Sequence, residues 1–458
     1  MDIQAWIAQQ RPNILEGLKT FLRYPTISAQ TAYYPALHEC ANWLQEYLHE
    51  LGFQTARYGE PPVLYAFYKG PVNAPTLLFY GHYDVQPPDP LDLWETPPFE
   101  PTIREDALYA RGACDDKGQV WAHLSAWRYW SEQGGLPVSL HVILEGQEET
   151  GSETLYKVIA ENGHLWKADA GIVSDTAFFS EDIPTLTTGL RGLLYTEVRV
   201  DGPARDLHSG TLGGIVQNPA WALATILSRL KGPDGRITIP GFYDEVLPPD
   251  PTIRRQWQTL PAHEAHYLAI TGAPALWGEV GFSPLERATI RPTLDIHGLY
   301  SGYIGEGSKT IIPAYATAKV SMRLVPKQNP DKIWEAFRTY VEALAPPGVK
   351  VSVQRLHDPA PAFETPIDSP FYQAAAEAIQ EAFGKAPIPL KEGGSIPVLS
   401  AIQTVVAGPI VLMGFGLPTD QVHSPNEHFR LRQLWGGIHA AIRFYQKAGL
   451  INTATPAQ

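Results

Sequence analysis

Two acids side by side, Glu148 and Glu149, stand just past the end of an apolar strand. The run Val138-Ser139-Leu140-His141-Val142-Ile143-Leu144 is rich in β-formers, and Gly146 and Gly151 break it before a helical segment. Charge taken out of water must be paired or bound to a metal. Adjacent side chains point different ways, so one acid can hold a metal while the other moves protons. His82, Asp115 and Asp175 also stand at or just after strands or at a helix start, and His423 lies in a loop after the apolar run Ile410–Gly414. In open α/β sheets, ligands bind outside the carboxyl ends of the strands. Each residue alone has a plainer reading, such as a structural histidine, a helix N-cap or a turn aspartate. Together, imidazole and carboxylate donors suit zinc, with manganese or cobalt as substitutes. Five such donors make two divalent metal ions per chain plausible, each taking one histidine and one terminal carboxylate and sharing Asp115. Paired metals about 3.5–4 Å apart activate a bridging water and hold a tetrahedral intermediate. Glu148 is then the general base that takes the water's proton and delivers it to a leaving amine. Asp84, two residues after His82, is placed to orient that imidazole.

The elements that must position these residues follow from periodicity. Residues 2–23 carry apolar positions at helical spacing, interrupted by Pro12, and a second amphipathic helix spans about 36–51. Strands are expected at 63–67, 76–80, 138–144 and 170–174, with helices near 119–130 and 153–161 between the later ones. Strands alternating with helices imply a mostly parallel sheet with helices on both faces. After Thr188 the pattern changes. Strands with half-exposed alternation (193–200, 316–324), another at 349–356, two helices (218–230, 331–345) and a Pro-rich stretch from 232 to 290 suggest an inserted α+β domain. Helices at 370–384 and 434–448 and a strand at 410–414 return to the first pattern. The fold class is therefore α/β, with a catalytic domain in two parts (1–188 and 357–458) interrupted by an inserted α+β domain (189–356).

Composition narrows the function. The chain has 458 residues, 44% hydrophobic and 18% charged, as a globular protein with a large core does. A net charge of −13 argues against nucleic acid, which needs a basic face. Only two cysteines, Cys40 and Cys114, are present, too few for a disulfide framework. No apolar run approaches a membrane span, and the start lacks a signal-peptide pattern, so a cytoplasmic location is expected. Cys114 beside Asp115 reads as packing, and His428 as a surface residue. Gly302–Lys309 lacks phosphate-loop spacing, and there is no HExxH.

The segments GHYDVQP (81–87), GACDDKG (112–118), EGQEETGS (145–152), SDT (174–176), DLHSG (206–210), SMRLVP (321–326), KEGGSIPV (391–398) and VHSPNE (422–427) occur in this order along nearly the whole chain. They resemble the metallopeptidase family of carnosinases, aminoacylases, glutamate carboxypeptidases and succinyl-diaminopimelate desuccinylases, with wording closest to the carnosinase-like dipeptidases. The resemblance implies His82 and Asp175 on one zinc, Glu149 and His423 on the other, Asp115 bridging, and Glu148 as base. It implies a cis peptide after Asp115. It also implies that the inserted domain, 189–356, is a lid that joins a homodimer and sends His208 into the neighbour's active site to stabilise the oxyanion. Arg323 is placed to clamp a substrate carboxylate, with Ser395 and Thr310 as weaker candidates for substrate contact.

The expected activity is hydrolysis of an amide next to a free carboxylate, in a dipeptide or small peptide. An N-acyl amino-acid deacylase with the same metals is the alternative, and a catalytically silent binding or assembly protein the remote one.

Overall fold

Helix α1 (Ile3–Leu22) starts at Asp2, whose carboxylate accepts from the Ala5 N–H at 3.0 Å. It runs through Pro12 without a break, contrary to the expected interruption. A proline inside a helix costs about 3 kcal/mol, and the buried stripe of Ile3, Trp6, Ile7, Ile14, Leu18 and Phe21 spans both sides of it. The computed structural model describes residues 2–356 and 358–452. Residue 357, where the return to the first domain was expected, lies outside the described residues.

The chain forms two units. The first is Met1–Thr188, Thr365–Leu390 and Val398–Gln458. After α1 come α2 (Tyr34–Glu50), β1 (Gln54–Tyr58), β2 (Val63–Tyr68), β3 (Thr76–His82), β4 (Thr102–Arg104) and β5 (Ala107–Tyr109). Then follow α3 (Lys117–Glu132), β6 (Ser139–Glu145), α4 (Glu153–Asn162), β7 (Ala170–Val173) and β8 (Thr185–Leu190), along which the chain leaves this unit.

The second unit is Gly189–Glu364 and Lys391–Pro397. It contains β9 (Gly192–Asp201), β10 (Leu207–His208), α5 (Ser209–Leu212), α6 (Pro219–Ser228), α7 (Pro251–Trp257), α8 (Glu264–Thr271) and α9 (Pro284–Thr289). It continues with β11 (Thr293–Ser301), β12 (Ile311–Ile312), β13 (Tyr315–Leu324), α10 (Pro330–Ala343), β14 (Lys350–Arg355) and β15 (Phe363–Glu364). An end at 356 falls short, because Ala360 exchanges backbone bonds with Leu193, and Phe363 and Glu364 pair with Leu190 and Gly189. Back in the first unit lie α11 (Pro370–Phe383), α12 (Leu399–Ile402), β17 (Ile410–Leu412), β18 (His428–Arg430) and α13 (Leu431–Ala448), with β16 (Ile388–Glu392) at the crossing.

The first unit's sheet has the order β1-β2-β6-β3-β7-β17-β8. Its centre, β6-β3-β7-β17, is parallel, while β1, β2 and β8 join antiparallel at the flanks. One face packs Leu64, Ala66, Phe79, Leu140, Val142 and Ile172 against α1, α2, α3, α11 and α13 in a single core. On β2 the alternate residue Tyr65 points the other way and stacks on Trp166, with ring centroids 4.6 Å apart. Because β3, β6 and β7 are parallel, their carboxyl ends lie along one sheet edge, which is where the candidate donors are.

In the second unit, β11-β13-β9-β14 form an antiparallel sheet. Every second residue of β9 is buried, and α6 and α10 cover that face with Leu223, Ile226, Ile333 and Phe337. The edge strand β11 has no counterpart in the expected elements. Its residues Ile296, Leu299 and Tyr300 are exposed, so it lacks the half-buried alternation that marks a strand in sequence.

Candidate metal centre

His82 is the last residue of β3, and its side chain is fully buried. Its Nε2 lies 3.1 Å from Asp115 Oδ1 and 4.0 Å from Asp175 Oδ2. Asp175 follows β7 by two residues, and Asp115 sits in the loop ahead of α3, where the Asp115–Asp116 peptide is cis. On the other side, His423 Nε2 lies 2.9 Å from Asp115 Oδ2 and 3.3 Å from Glu149 Oε2. Each Asp115 oxygen therefore faces a different imidazole. His423 is held in a left-handed backbone conformation, φ 59°, between Gln421 and Asn426 in the same region. Non-glycine residues adopt it rarely, and such positions recur at functional sites as well as in turns.

Two groups follow from these positions. His82, Asp115 and Asp175 offer ligand atoms all within 4.8 Å of one another, and so do Asp115, Glu149 and His423. The charges fit divalent cations. Among the described residues, Asp115, Glu149 and Asp175 form no ion pair with any lysine or arginine. Burial, with Asp115 and Asp116 nearby, pushes the Asp175 carboxyl well above its usual range. Burial would also raise Asp115, but hydrogen bonds from His423 and His82 hold it below the usual carboxylate range. Acidic groups this crowded need cations to be ionised together.

Glu148 and Glu149 form a single 3-10 turn after β6. The turn is fastened to Asp84, whose Oδ1 accepts the Glu148 N–H and whose Oδ2 accepts the Glu149 N–H, both at 3.1 Å. Asp84 Oδ1 is also 3.3 Å from His82 Nδ1. Burial pushes the Glu148 carboxyl up to about 7, with Glu149, Asp84 and Asp115 adding to the rise and His82 opposing it. Such a value suits a group that must both accept and donate a proton near neutrality.

The remaining candidates belong to the second unit. His208 is exposed, its Nδ1 accepting from the Gly210 N–H at 3.0 Å. Thr310, also exposed, gives its carbonyl to the Ser209 N–H at 3.1 Å, beside His208. Arg323 on β13 donates from Nη1 to Ser395 Oγ at 2.7 Å.

Residues 78–447 match peptidase family M20/M25/M40. The chain belongs to that family. It is a metallohydrolase, 31% identical over 469 residues to the Cys-Gly metallodipeptidase DUG1 of Candida albicans, a match covering 96% of each chain. It is 32% identical over 388 residues to the Beta-Ala-His dipeptidase of Mus musculus, covering 82% of this chain and 79% of the other. Among solved structures, the M20 family metallo-carboxypeptidase Sso-CP2 of Sulfolobus solfataricus superposes with TM-score 0.83 at 31% identity, covering 96% of this chain and 99% of that one.

In this M20/M25/M40 peptidase, the partners of several supporting residues escape the sequence. Ser28 Oγ donates to Asp84 Oδ2 at 2.6 Å, and Gln86 donates to Glu149 Oε2 at 2.8 Å. Glu427 is buried and holds the Asp115 loop. Its Oε2 accepts from Gly112 N at 2.9 Å and Arg111 Nη1 at 2.7 Å, and its Oε1 from Cys114 N and Asp115 N at 3.0 Å each. Gln86 and Glu427 lie within the GHYDVQP and VHSPNE segments, which mark them without naming their partners, while Ser28 stands in no such segment. His428 is a correction. It is buried on β18, paired with β5 and stacked on Tyr109 at 4.7 Å, rather than on the surface. Cys114 is buried and free. Among the described residues no helix is long and apolar enough to cross a membrane.

Proposed function

We propose that the protein hydrolyses the amide bond of dipeptides and small peptides bearing a free carboxylate, using two zinc ions, with manganese or cobalt as substitutes. The observation that carries this reading is Asp115, with one carboxylate oxygen 3.1 Å from His82 and the other 2.9 Å from His423. His82, Asp115 and Asp175 would hold one ion, and Asp115, Glu149 and His423 the other. When bound, the pair supplies Lewis acidity for the scissile carbonyl and lowers the pKa of water. Glu148 takes a proton from the attacking water and returns it to the leaving nitrogen. Asp84 fixes the ring of His82 and the turn that carries Glu148. Arg323 clamps the substrate's carboxylate, and Ser395 and Thr310 contact the substrate.

The active form is a homodimer joined through the second unit, with His208 of each copy stabilising the oxyanion in the other. The exposed apolar side chains of Leu299 and Tyr300 on edge strand β11, and of Trp221 on α6, support such a contact. Two free cysteines suit the cytoplasm. The two curated relatives above are dipeptidases by name, so nothing there favours the deacylase or the silent protein. Elemental analysis of the purified protein, with dipeptides and the matching N-acetyl amino acids as substrates, tests the proposal. Two zinc ions per chain and faster dipeptide cleavage are expected. Cleavage of acyl substrates alone moves it to the deacylases, and failure to take up metal removes its basis.

A further inference from the structure

Two arginines of the second unit lie close together, with Asp295 near enough to act on both without pairing with either. Neither Arg191 nor Arg323 forms an ion pair among the described residues; burial lowers the pKa of both, and the Arg323 charge lowers that of Arg191 further. Ser395 links them. Its Oγ accepts from Arg323 Nη1 at 2.7 Å and donates to the Arg191 carbonyl. The Arg191 side chain turns the other way. Its Nε donates to the Gly393 carbonyl at 3.0 Å, and its Nη1 reaches the Arg291 carbonyl at 3.3 Å and the Arg287 carbonyl at 3.5 Å. Its backbone N–H donates to the Gly394 carbonyl at 3.1 Å. Arg287 lies in the last turn of α9, where carbonyls lack helical partners and favour a cation. Gly393 is pressed into this junction, since a Cβ there would lie 2.3 Å from the Ala288 carbonyl oxygen and 2.8 Å from Arg191 Nη2. Lys391–Pro397 thus joins the second unit, although the residues on either side of it belong to the first.

A guanidinium has five N–H donors in a rigid fork. With one Arg323 donor tied to Ser395, the direction of the rest is set by where Ser395 sits. We propose that Arg191 is a positioning residue for carboxylate recognition: by tying Lys391–Pro397 to the end of α9, it holds Ser395 against Arg323 and aims the Arg323 fork at the substrate's carboxylate. This rests on the reading of Arg323 as the carboxylate clamp. Lysine at 191 keeps the charge but not the fork that reaches three carbonyls, so it separates position from charge.

The test measures kcat and KM of the full-length, metal-loaded protein for alanyl-alanine and for the same dipeptide amidated at its carboxylate. Wild type, Arg191→Lys, Arg191→Gln, Arg323→Ala and the double variant Arg191→Gln/Arg323→Ala are compared. Both Arg191 variants should raise KM for the free dipeptide about tenfold or more, the worth of a hydrogen bond to a charged group. Metal content and kcat should stay close to wild type, and the preference for acid over amide should fall toward that of Arg323→Ala. The double variant should lose no more preference than Arg323→Ala alone. If Arg191 variants do not fold, Gly393→Ala displaces the same loop and should show the same split between KM and kcat. A wild-type preference in Arg191→Lys, or additive losses in the double variant, overturns the positioning role while leaving the clamp standing. If Arg323→Ala itself keeps the wild-type preference, the clamp fails, and the role of Arg191 with it.

Discussion

The Glu148 N–H donates to Asp84 Oδ1 at 3.1 Å, so the candidate base hangs from the carboxylate that also faces His82 Nδ1 at 3.3 Å. One buried side chain therefore sets both the acid–base group and a metal-competent imidazole. Asp84→Ala should weaken metal retention about 10–100-fold, the usual cost of losing such a support, and lower turnover with it. Ser28→Ala removes only the 2.6 Å bond to Asp84 Oδ2, so its effect should be smaller in the same direction. Zinc competition against a chromophoric chelator measures both, and equal affinity in Asp84→Ala would rule out the support.

Glu148→Ala should leave metal content unchanged and lower kcat by about a thousandfold, within the range for a positioned general base. Elemental analysis and dipeptide turnover on one sample decide it. Retained turnover would remove Glu148 from the proton transfer.

Metal binding should expel protons. Burial works against a proton on His82, yet hydrogen bonds to Asp115 and Asp84 keep its pKa well above the ordinary value. Hydrogen bonds to Asp115 and Glu149 raise His423 to about 10. Without metal these contacts favour the protonated imidazoles, and a ligating imidazole must be neutral. Apparent affinity should therefore rise with pH, and zinc titration calorimetry should give different heats in buffers of different ionisation enthalpy. Identical heats would show that these histidines are not displaced from their protons. Chelation should abolish hydrolysis, and re-addition of zinc should restore it.

His208→Ala should lower kcat, and mixing it with Glu148→Ala should restore part of the activity. A heterodimer then holds one site with both groups intact, if His208 serves the partner's centre. Verified heterodimers without recovery would place His208 outside the reaction.

His123 connects pH to stability away from the site. It is buried with Nδ1 bonded to the Tyr445 hydroxyl at 3.0 Å and Nε2 unpartnered, and burial pushes its pKa down to about 3 from 6.5. The unfolded chain binds the proton first, so this contribution is complete above pH 6.5 and lost as pH falls toward 3. Between about pH 7.5 and about pH 5, wild type should lose about 2 kcal/mol from this group. His123→Phe should lose that much less on acidification. Urea denaturation at the two pH values checks it, and parallel losses would contradict the burial argument.

The candidate donors are legible in sequence because chemistry restricts them to few residue types and strand ends give them a place. His82, Glu148, Glu149 and Asp175 each follow an apolar run that reads as a strand without further information. Pro12 misleads because local propensity is outweighed by a buried stripe on both sides of it. β11 is missed because its exposed residues lack alternation, and its pairing with β13 is a contact across chain distance.

By itself, the order of motifs determined the α/β class, the inserted domain and the types of group available for a metal and a base. Only the tertiary structure decided which of them meet. That Asp115 turns one oxygen to His82 and the other to His423, that Glu427 holds the Asp115 loop from 312 residues away, and that Ser28 supports Asp84 are contacts between distant segments. Side-chain periodicity reports only a residue's own element and face, whereas these contacts arise when parallel strands bring their carboxyl ends to one edge.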